Sequence, residues 1–357
     1  MAHHQVREGL AELLAGAQPG DVFEIEGEHT LPQTELHVPI TLRGGTLVGS
    51  GDRVLKLYAD VRIEGTTIKN PGGHGVVGLA GSPHLDGLVL NVSATGLAFG
   101  KDCTPTVVGC QVTGCSTGLT VTGDSRIFVE NLQIASRGCG VFLMGNSAGT
   151  LAQVAVLAGG FAGVEIKDHS TCQLVGVAVV TGGTGGFYIH GDAAPELHGC
   201  LAQACSLTGV EVGERARPTI DGLVVRDVQR EGVLVKDQAQ VTLMEAEIER
   251  CGLTLVALAD DASIDIERAV LREGEEAGVW VQGRGRAELL EVVIRGCKRT
   301  GVDSSDGGTV VLEDCIVRGN GGFGVAARGG RVEMSGCTVE DNALGPYQEV
   351  ASGTIQR

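Results

Sequence analysis

The sequence has 357 residues, of which 43% are hydrophobic, 57 are Gly and 9 are Pro, and its formal net charge is −17. This hydrophobic content excludes a disordered, low-complexity protein, and a chain of this length forms a single unit most readily as a repeat solenoid. The acidic balance argues against nucleic acid or a membrane as a partner, because both require patches of Lys and Arg.

The first segment predicts a short capping helix. Val6, Leu10, Leu13 and Leu14 lie on one face of a helix from about Gln5 to Ala17, after which the chain turns into a strand. An open solenoid exposes an apolar cross-section and unpaired backbone groups, and the helix would cover them at the first coil. We therefore expect residues 1–35 to form an N-terminal cap, composed of this helix and an opening strand.

The central part of the chain repeats every 23 residues. Gly-Val pairs align coils that begin at Ser147, Ser170, Ala193, Ala216, Ala239, Ala262, Gly285 and Gly308, with slightly shorter coils before them. Each repeat contains three short apolar segments separated by turns, which is the layout of a β-helix coil. The pattern predicts an all-β protein, a right-handed parallel β-helix (solenoid) of about fourteen coils of ~23 residues over residues 36–341.

Equivalent positions of successive coils form columns, because they stack about 4.8 Å apart. Two columns are apolar and are predicted to face the interior: one contains Val76, Val210 and Val325, and the other contains Val156 and Val317. The residue before the first column is nearly always Gly. We expect these glycines to occupy a turn that requires a positive φ.

The eleven cysteines follow the same repeat and show no zinc-binding spacing. Cys110, Cys200, Cys315 and Cys337 share one column, and Cys115, Cys205, Cys251 and Cys297 share another, which Asn70, Asn320 and Asn342 extend. This pattern predicts a buried ladder of small residues, with no metal and no cofactor. Scattered free thiols and the polar first ten residues favour a cytoplasmic location.

The last residues, 342–357, interrupt the repeat with Pro346. The sequence leaves open whether this segment is a C-terminal cap or a docking tail. Uncapped ends and flat sides both permit association, so the oligomeric state is open as well.

The opening residues 17–25, followed by Ile40-Thr41-Leu42-Arg43-Gly44-Gly45 and the Gly-Val coils, resemble the pectin-lyase-like superfamily of β-helix proteins. That superfamily includes polysaccharide lyases, glycoside hydrolases and uronate epimerases, together with repeat proteins of no established chemistry. The motif set of its polygalacturonases is not reproduced: Gly73-His74-Gly75 and Asp260-Asp261 occur in reverse order and many coils apart. The resemblance therefore implies the fold and leaves the activity open.

One outward column collects most of the residues that could act on a ligand. It contains Phe142, Glu165, Tyr188, Glu211, Leu234, Ala257 and Trp280, and the positions two residues further on include Lys167, His190 and Lys236. We call these residues the outward strip. Aromatic residues make up only 3% of the chain, and this content argues against a sugar-binding groove.

Three interpretations of the outward strip compete. A catalytic groove would use Glu165 and Glu211, about 9.6 Å apart across two coils, as an acid and base, with Tyr188 and His190 orienting the substrate. A docking face would use Phe142, Lys167, Tyr188, Leu234, Lys236 and Trp280 to bind a protein partner. The third interpretation is that these are ordinary surface residues.

Intact repeats, missing motif sets and few aromatic residues favour a non-catalytic cytoplasmic scaffold or binding module that acts on a protein partner. The alternative is a carbohydrate-active enzyme (a polysaccharide lyase, glycoside hydrolase or uronate epimerase) that acts on an acidic polysaccharide.

Overall fold

A computed structural model describes residues 2–157, 160–180, 183 and 185–357. The chain divides into two compact units: unit 1 contains Met1–Glu165 and His169–Val177, and unit 2 contains Ile166–Asp168 and Ala178–Arg357. Each unit is a parallel β-solenoid, and together they contain about 15 turns of ~23 residues. A full turn contributes one strand to each of three faces, which we call the first, second and third face.

The strands of unit 1 pair in parallel with their equivalents in neighbouring coils. The first face contains His3–Val6, Val22–Ile25, Thr41–Arg43, Arg62–Glu64, His84–Asp86, Thr106–Val108 and Gln173–Val175. The second face contains Glu28–Leu31, Thr46–Gly49, Thr67–Asn70, Val89–Val92 and Gln111–Cys115, and two long strands, Arg126–Ser136 and Ala148–Leu157, serve both of these faces. The third face contains Thr34–Leu36, Arg53–Leu57, His74–Gly78, Thr95–Phe99, Thr117–Val121, Val141–Leu143 and Ala162–Ile166.

Unit 2 has the same organisation with shorter strands. Its first face contains Glu196–His198, Thr219–Asp221, Gln240–Met244, Ser263–Glu267, Arg286–Leu290, Thr309–Glu313, Arg331–Ser335 and Thr354–Gln356. Its second face contains Ala178–Val180, Leu201–Gln203, Val224–Arg226, Glu247–Glu249, Val270–Arg272, Val293–Arg295, Ile316–Arg318 and Thr338–Glu340. Its third face contains Gly185–Ile189, Val210–Val212, Val233–Val235, Val256–Leu258, Val279–Val281, Val302–Ser305, Phe323–Arg328 and Gly345–Val350.

The N-terminal helix is shorter than predicted and begins later. It contains Leu10–Ala15, and Gly9 precedes it in the left-handed region with a φ of 68°. The residues from His3 to Val6 are extended and pair with Val22–Ile25, because the strand edge of the first coil offers their backbone hydrogen-bond partners. Leu10 and Leu14 are buried, as expected of a helix that covers the core.

The last segment continues the solenoid. Gly345–Val350 pairs with Phe323–Arg328, and Thr354–Gln356 pairs with Arg331–Ser335. Residues 342–357 therefore complete a further coil, and Pro346 is accommodated within its third-face strand.

Both predicted interior columns are buried. The first contains Val76, Val210, Val279 and Val325 among others, each 0% exposed, and the second runs from Val156 to Val317. Their alignment is maintained by parallel register in each unit, as in the pairing of Val210 with Val233. Burial of these branched side chains supplies the apolar stabilisation of the fold.

The prediction of a positive φ at the glycines before the first column is wrong. Gly140, Gly209, Gly232 and Gly301 all lie outside the left-handed region. Their role is steric: a Cβ on Gly209 would lie 2.4 Å from Val225 Cγ1 and 2.6 Å from the carbonyl oxygen of Gly232. The glycines are required because the next coil packs directly against their Cα atoms.

The ladder of small residues is present. Nine of the eleven cysteines are buried, while Cys139 and Cys337 are partly exposed, and all eleven are free thiols. Asn70, Asn320 and Asn342 are buried, and Asn342 Nδ2 donates to the carbonyl oxygens of Val317 and Glu340. Asparagine therefore satisfies turn carbonyls inside the solenoid.

Candidate functional site

The outward strip forms a continuous column within unit 2. Tyr188 pairs with Glu211, Glu211 with Leu234, Leu234 with Ala257, and Ala257 with Trp280. All of these side chains except the buried Ala257 are partly exposed. The predicted alignment is therefore confirmed from Tyr188 to Trp280.

The polar side chains of the outward strip bind one another and neighbouring acidic groups. Lys236 Nζ lies 2.7 Å from Glu211 Oε1, and this hydrogen bond raises the pKa of Lys236. His190 Nδ1 lies 3.5 Å from Glu214 Oε1, and its ring stacks on Tyr188 with 4.4 Å between ring centroids. The Glu211 carboxylate is thus already paired with the ammonium group of Lys236.

The remaining strip residues are distributed over both units. Phe142 and Glu165 belong to third-face strands of unit 1, where Phe142 pairs with Thr120. Lys167 lies in the segment Ile166–Asp168 of unit 2. The acid and base pairing of Glu165 with Glu211 and the docking role of Phe142 and Lys167 stay predictions.

A concave site lies further along the same face of unit 2. It is a cleft of about 630 Å³, formed where the turns that precede the third face project beside the third-face strands. We call it the Trp280 cleft. Its lining residues are Glu231, Leu253, Thr254, Glu276, Ala277, Trp280, Lys298, Arg299, Thr300, Asp303, Gly321, Gly322, Phe323, Arg328, Leu344 and Gln348.

Trp280 supplies the aromatic surface of this cleft. It is the single Trp of the chain, and its indole Nε1 donates a hydrogen bond to Ser305 Oγ at 3.0 Å. Its apolar body is partly exposed while its polar end is satisfied, which suits a platform for the apolar face of a ligand.

Asp303 is the buried carboxyl of the cleft. It pairs in register with Trp280 on the adjacent strand, and its side chain is only 12% exposed. Burial raises the pKa of Asp303, and Arg328, whose guanidinium lies 3.3 Å from Oδ2, opposes this rise only in part. Oδ1 is buried and has no hydrogen-bond partner among the described residues. A carboxyl in this environment is suited to hold a proton and to donate it.

Two further carboxylates line the cleft. Glu276 forms an ion pair with Arg299, 2.9 Å between Oε2 and Nε, and lies one coil before Asp303. Glu231 is mostly buried, and its Oε2 lacks a hydrogen-bond partner within the described part of the chain. Glu231 lies three coils before the row of Asp303, which corresponds to an axial separation of about 14 Å.

The sequence pattern identifies Trp280 but not the charged residues that surround it in this cleft. Asp303 follows Trp280 by one repeat in the outward column, so an extension of that column by one coil would have identified it. Glu276, Arg299 and Glu231 lie in turns, where the sequence pattern does not indicate which side chains converge. Their proximity depends on the fold.

Within the described residues, no three His, Cys, Asp or Glu side chains form a group that could hold a metal ion. None of the helical segments described by the structure has the length and apolar character needed to span a membrane.

The sequence matches the family described as "Right handed beta helix region" over residues 49–217, 139–289 and 208–356. No curated protein matches it. Among solved structures, the chain is similar to the periplasmic alginate epimerase AlgG, with 11% identity and a TM-score of 0.52, over 91% of this chain and 76% of that chain. At this identity the likeness to AlgG is one of fold.

Two other solved structures are similar at lower scores. One is the catalytic unit of a thermostable GH87 α-1,3-glucanase from Streptomyces thermodiastaticus, with 12% identity and a TM-score of 0.47, over 98% of this chain and 65% of that chain. The other is the receptor binding domain of the siphovirus 9NA tailspike, with 9% identity and a TM-score of 0.43, over 99% of this chain and 77% of that chain.

Proposed function

Because this chain belongs to the right-handed β-helix family of the pectin-lyase-like superfamily, we propose that it is a carbohydrate-active enzyme whose active site is the Trp280 cleft. The sequence favoured a non-catalytic scaffold, with the enzyme as the alternative. The cleft favours the alternative, because it combines a buried carboxyl, charged side chains and an aromatic surface in one concave site. AlgG, an alginate epimerase, has the same fold, but the proposal depends on the residues of this chain.

One observation carries the proposal: the cleft contains two buried carboxylate oxygens, Glu231 Oε2 and Asp303 Oδ1, that have no hydrogen-bond partner in the described residues. An unsatisfied buried acceptor is unfavourable by about 1–3 kcal/mol, so both carboxyls would gain from a hydroxyl donor that enters the cleft and displaces the groups that cover them.

The dimensions of the cleft fit a linear ligand. Its turn residues Glu231, Thr254, Ala277, Thr300 and Phe323 occupy successive coils, which gives a length of about 19 Å along the solenoid axis of unit 2. A groove of this length accommodates several sugar rings in a row.

Each polar residue has a definite role in this proposal. Asp303 is the proton donor, since burial keeps it protonated at a higher pH than an exposed carboxyl. Glu276, paired with Arg299, is the second carboxylate of the reaction. Glu231, about 14 Å away along the axis, is too distant for that role and binds a sugar hydroxyl of a neighbouring subsite.

The cations of the cleft favour an acidic polysaccharide as substrate. Arg328 and Arg299 line the wall beside Asp303 and Glu276, and Lys298 lies at the same level. Each of these cations is paired with a carboxylate of the chain, Lys298 with Glu275, and can donate further charge-assisted hydrogen bonds to the carboxylates of a uronate chain.

The test is to incubate the purified protein with a panel of acidic and neutral polysaccharides, with and without calcium. Chain cleavage is followed by reducing ends and unsaturated products, and epimerisation is followed by NMR. We expect turnover that Asp303→Asn lowers by at least about 100-fold, the contribution of a general acid.

Asp265→Asn is the matched control. Asp265 is an exposed carboxyl on the first face of unit 2, away from the cleft, so its replacement removes the same charge without contacting the proposed active site. Equal losses in the two variants, or no turnover on any polysaccharide, would contradict the proposed active site.

A second candidate function is protein docking in the same cleft. Leu253 and Phe323 line it, and Leu344 at its edge is 63% exposed, which gives the apolar anchors that a docked peptide requires. A protein captured from lysate that is lost on Leu344→Asp and retained on Asp303→Asn would favour docking over catalysis.

A further inference from the structure

Two cysteines lie next to each other in consecutive coils of unit 2. Cys315 and Cys337 each precede a second-face strand, and the first residues of these strands, Ile316 and Thr338, pair in register. The amide of Cys315 donates a hydrogen bond to Cys337 Sγ at 3.4 Å. Consecutive coils are about 4.8 Å apart, which lies within the Cα separation that a disulfide needs.

The two thiols have different surroundings. Cys315 is fully buried, and its Sγ lies 3.3 Å from the carbonyl oxygens of Leu289 and Glu313. Cys337 is partly exposed. The hydrogen bond from Cys315 lowers the pKa of Cys337 to about 6, while the same contact and burial raise the pKa of Cys315. Cys337 is therefore the accessible thiolate of the pair.

The other cysteine columns do not offer this arrangement. In the second column, Cys205, Cys251 and Cys297 are each 46 residues apart, which is two coils. Cys251 and Cys297 are both buried, and burial raises their pKa values to about 12 and about 11. These thiols lie two coils apart, about 9.6 Å, which is too far for a disulfide.

We propose that Cys337 is a peroxide oxidation site and that Cys315 is its resolving thiol. The Cys337 thiolate attacks hydrogen peroxide, which breaks the O–O bond, releases hydroxide and leaves a sulfenic acid on Cys337. The Cys315 sulfur then attacks the Cys337 sulfur and displaces the hydroxyl group as water. In sum, two thiols and one peroxide yield one disulfide and two waters.

The disulfide would join the coil of Cys337 to the coil before it. The same chain segment carries Leu344 and Gln348, which line the Trp280 cleft. Oxidation would therefore fix the coil that forms one end of this cleft. The oxidation site itself does not depend on the activity proposed above.

The experiment treats the reduced, full-length protein with a slight molar excess of hydrogen peroxide, blocks free thiols and digests it with trypsin without reduction. Cleavage after Arg299, Arg318 and Arg331 places the two cysteines in separate peptides, 300–318 and 332–357, each with a single Cys. We expect these peptides to be recovered as one linked species that reduction separates.

Three variants separate the roles of the two cysteines. Cys337→Ser should abolish the linked species, and Cys315→Ser should leave a sulfenic acid on Cys337 that a sulfenic-specific reagent labels. Cys297→Ser is the matched control and should form the linked peptides as the parent does. Failure of the parent to form them, or equal labelling of all eleven cysteines, would overturn the proposal. If Cys315→Ser does not fold, the alkylation rates of the native parent test whether Cys337 is the accessible thiolate. Faster alkylation of Cys337 than of Cys139 supports this assignment, and equal rates contradict it.

Discussion

Trp280 donates its indole N–H to Ser305 Oγ across a coil, at 3.0 Å. Ser305 ends the strand that also carries Asp303, so that one strand fixes the ring and presents the buried carboxyl beside it. This relationship orients the aromatic surface of the Trp280 cleft.

Replacing Ser305 with Ala tests that relationship. Loss of one hydrogen bond predicts a decrease of about 0.5–1.5 kcal/mol in the free energy of unfolding. Because Trp280 is the single Trp, its emission reports ring mobility directly, and we expect increased accessibility to a collisional quencher. Ser305→Thr retains a hydroxyl and should preserve the emission of the parent; unchanged quenching in Ser305→Ala would show that the ring is held by packing alone.

The raised pKa of Asp303 makes the free energy of unfolding depend on pH. Burial raises its pKa in the folded state above the ordinary value of 3.8, so the folded chain binds this proton more tightly than the unfolded chain. The contribution of Asp303 to stability is then present below pH 3.8 and is lost as the pH rises through the folded pKa.

Asp303→Asn should therefore be more stable than the parent at pH 7, and the difference should vanish below pH 3.8. Denaturant unfolding at several pH values measures both. A variant that is less stable at pH 7 would mean that the ion pair with Arg328 outweighs burial.

Adding a side chain at Gly209 should produce a steric clash at the turn before the third face. A Cβ at this position would meet Val225 and the backbone of Gly232, and we expect Gly209→Ala to destabilise unit 2 by about 1–3 kcal/mol. Gly185→Ala is the control, because its nearest neighbour, the carbonyl oxygen of Thr208, would lie at an ordinary 3.5 Å. Equal unfolding free energies for the two variants would refute the steric explanation.

Glu249 is a buried carboxylate on the second face of unit 2. Its side chain is only 6% exposed, and it contacts both Arg250 and Arg272. Glu249→Ala leaves two partly exposed guanidinium groups without this partner, and we expect a loss of about 1–3 kcal/mol. Asp261→Ala, which removes the partner of the exposed Arg284, should change stability little. A salt titration of unfolding distinguishes the two, since the buried contact is screened less.

The sequence by itself determined the coil, its period and its interior. Val210 and its equivalents recur every 23 residues, and a side chain that faces the core in one coil must face it in the next, so periodicity alone identified the columns and the alignment of the outward strip. The role of Gly209 could not be obtained this way, because the need for glycine arises from the distance to the next coil.

The Trp280 cleft required the tertiary structure for the same reason. Glu276 and Glu231 lie in turns and Asp303 lies in a strand, and their convergence depends on how far each turn projects beside the third face. Cys315 and Cys337 were placed in one column by the sequence, but only the structure shows one thiol buried and the other accessible. Repetition fixes which residues stack, whereas local packing fixes which of them water or a ligand can reach.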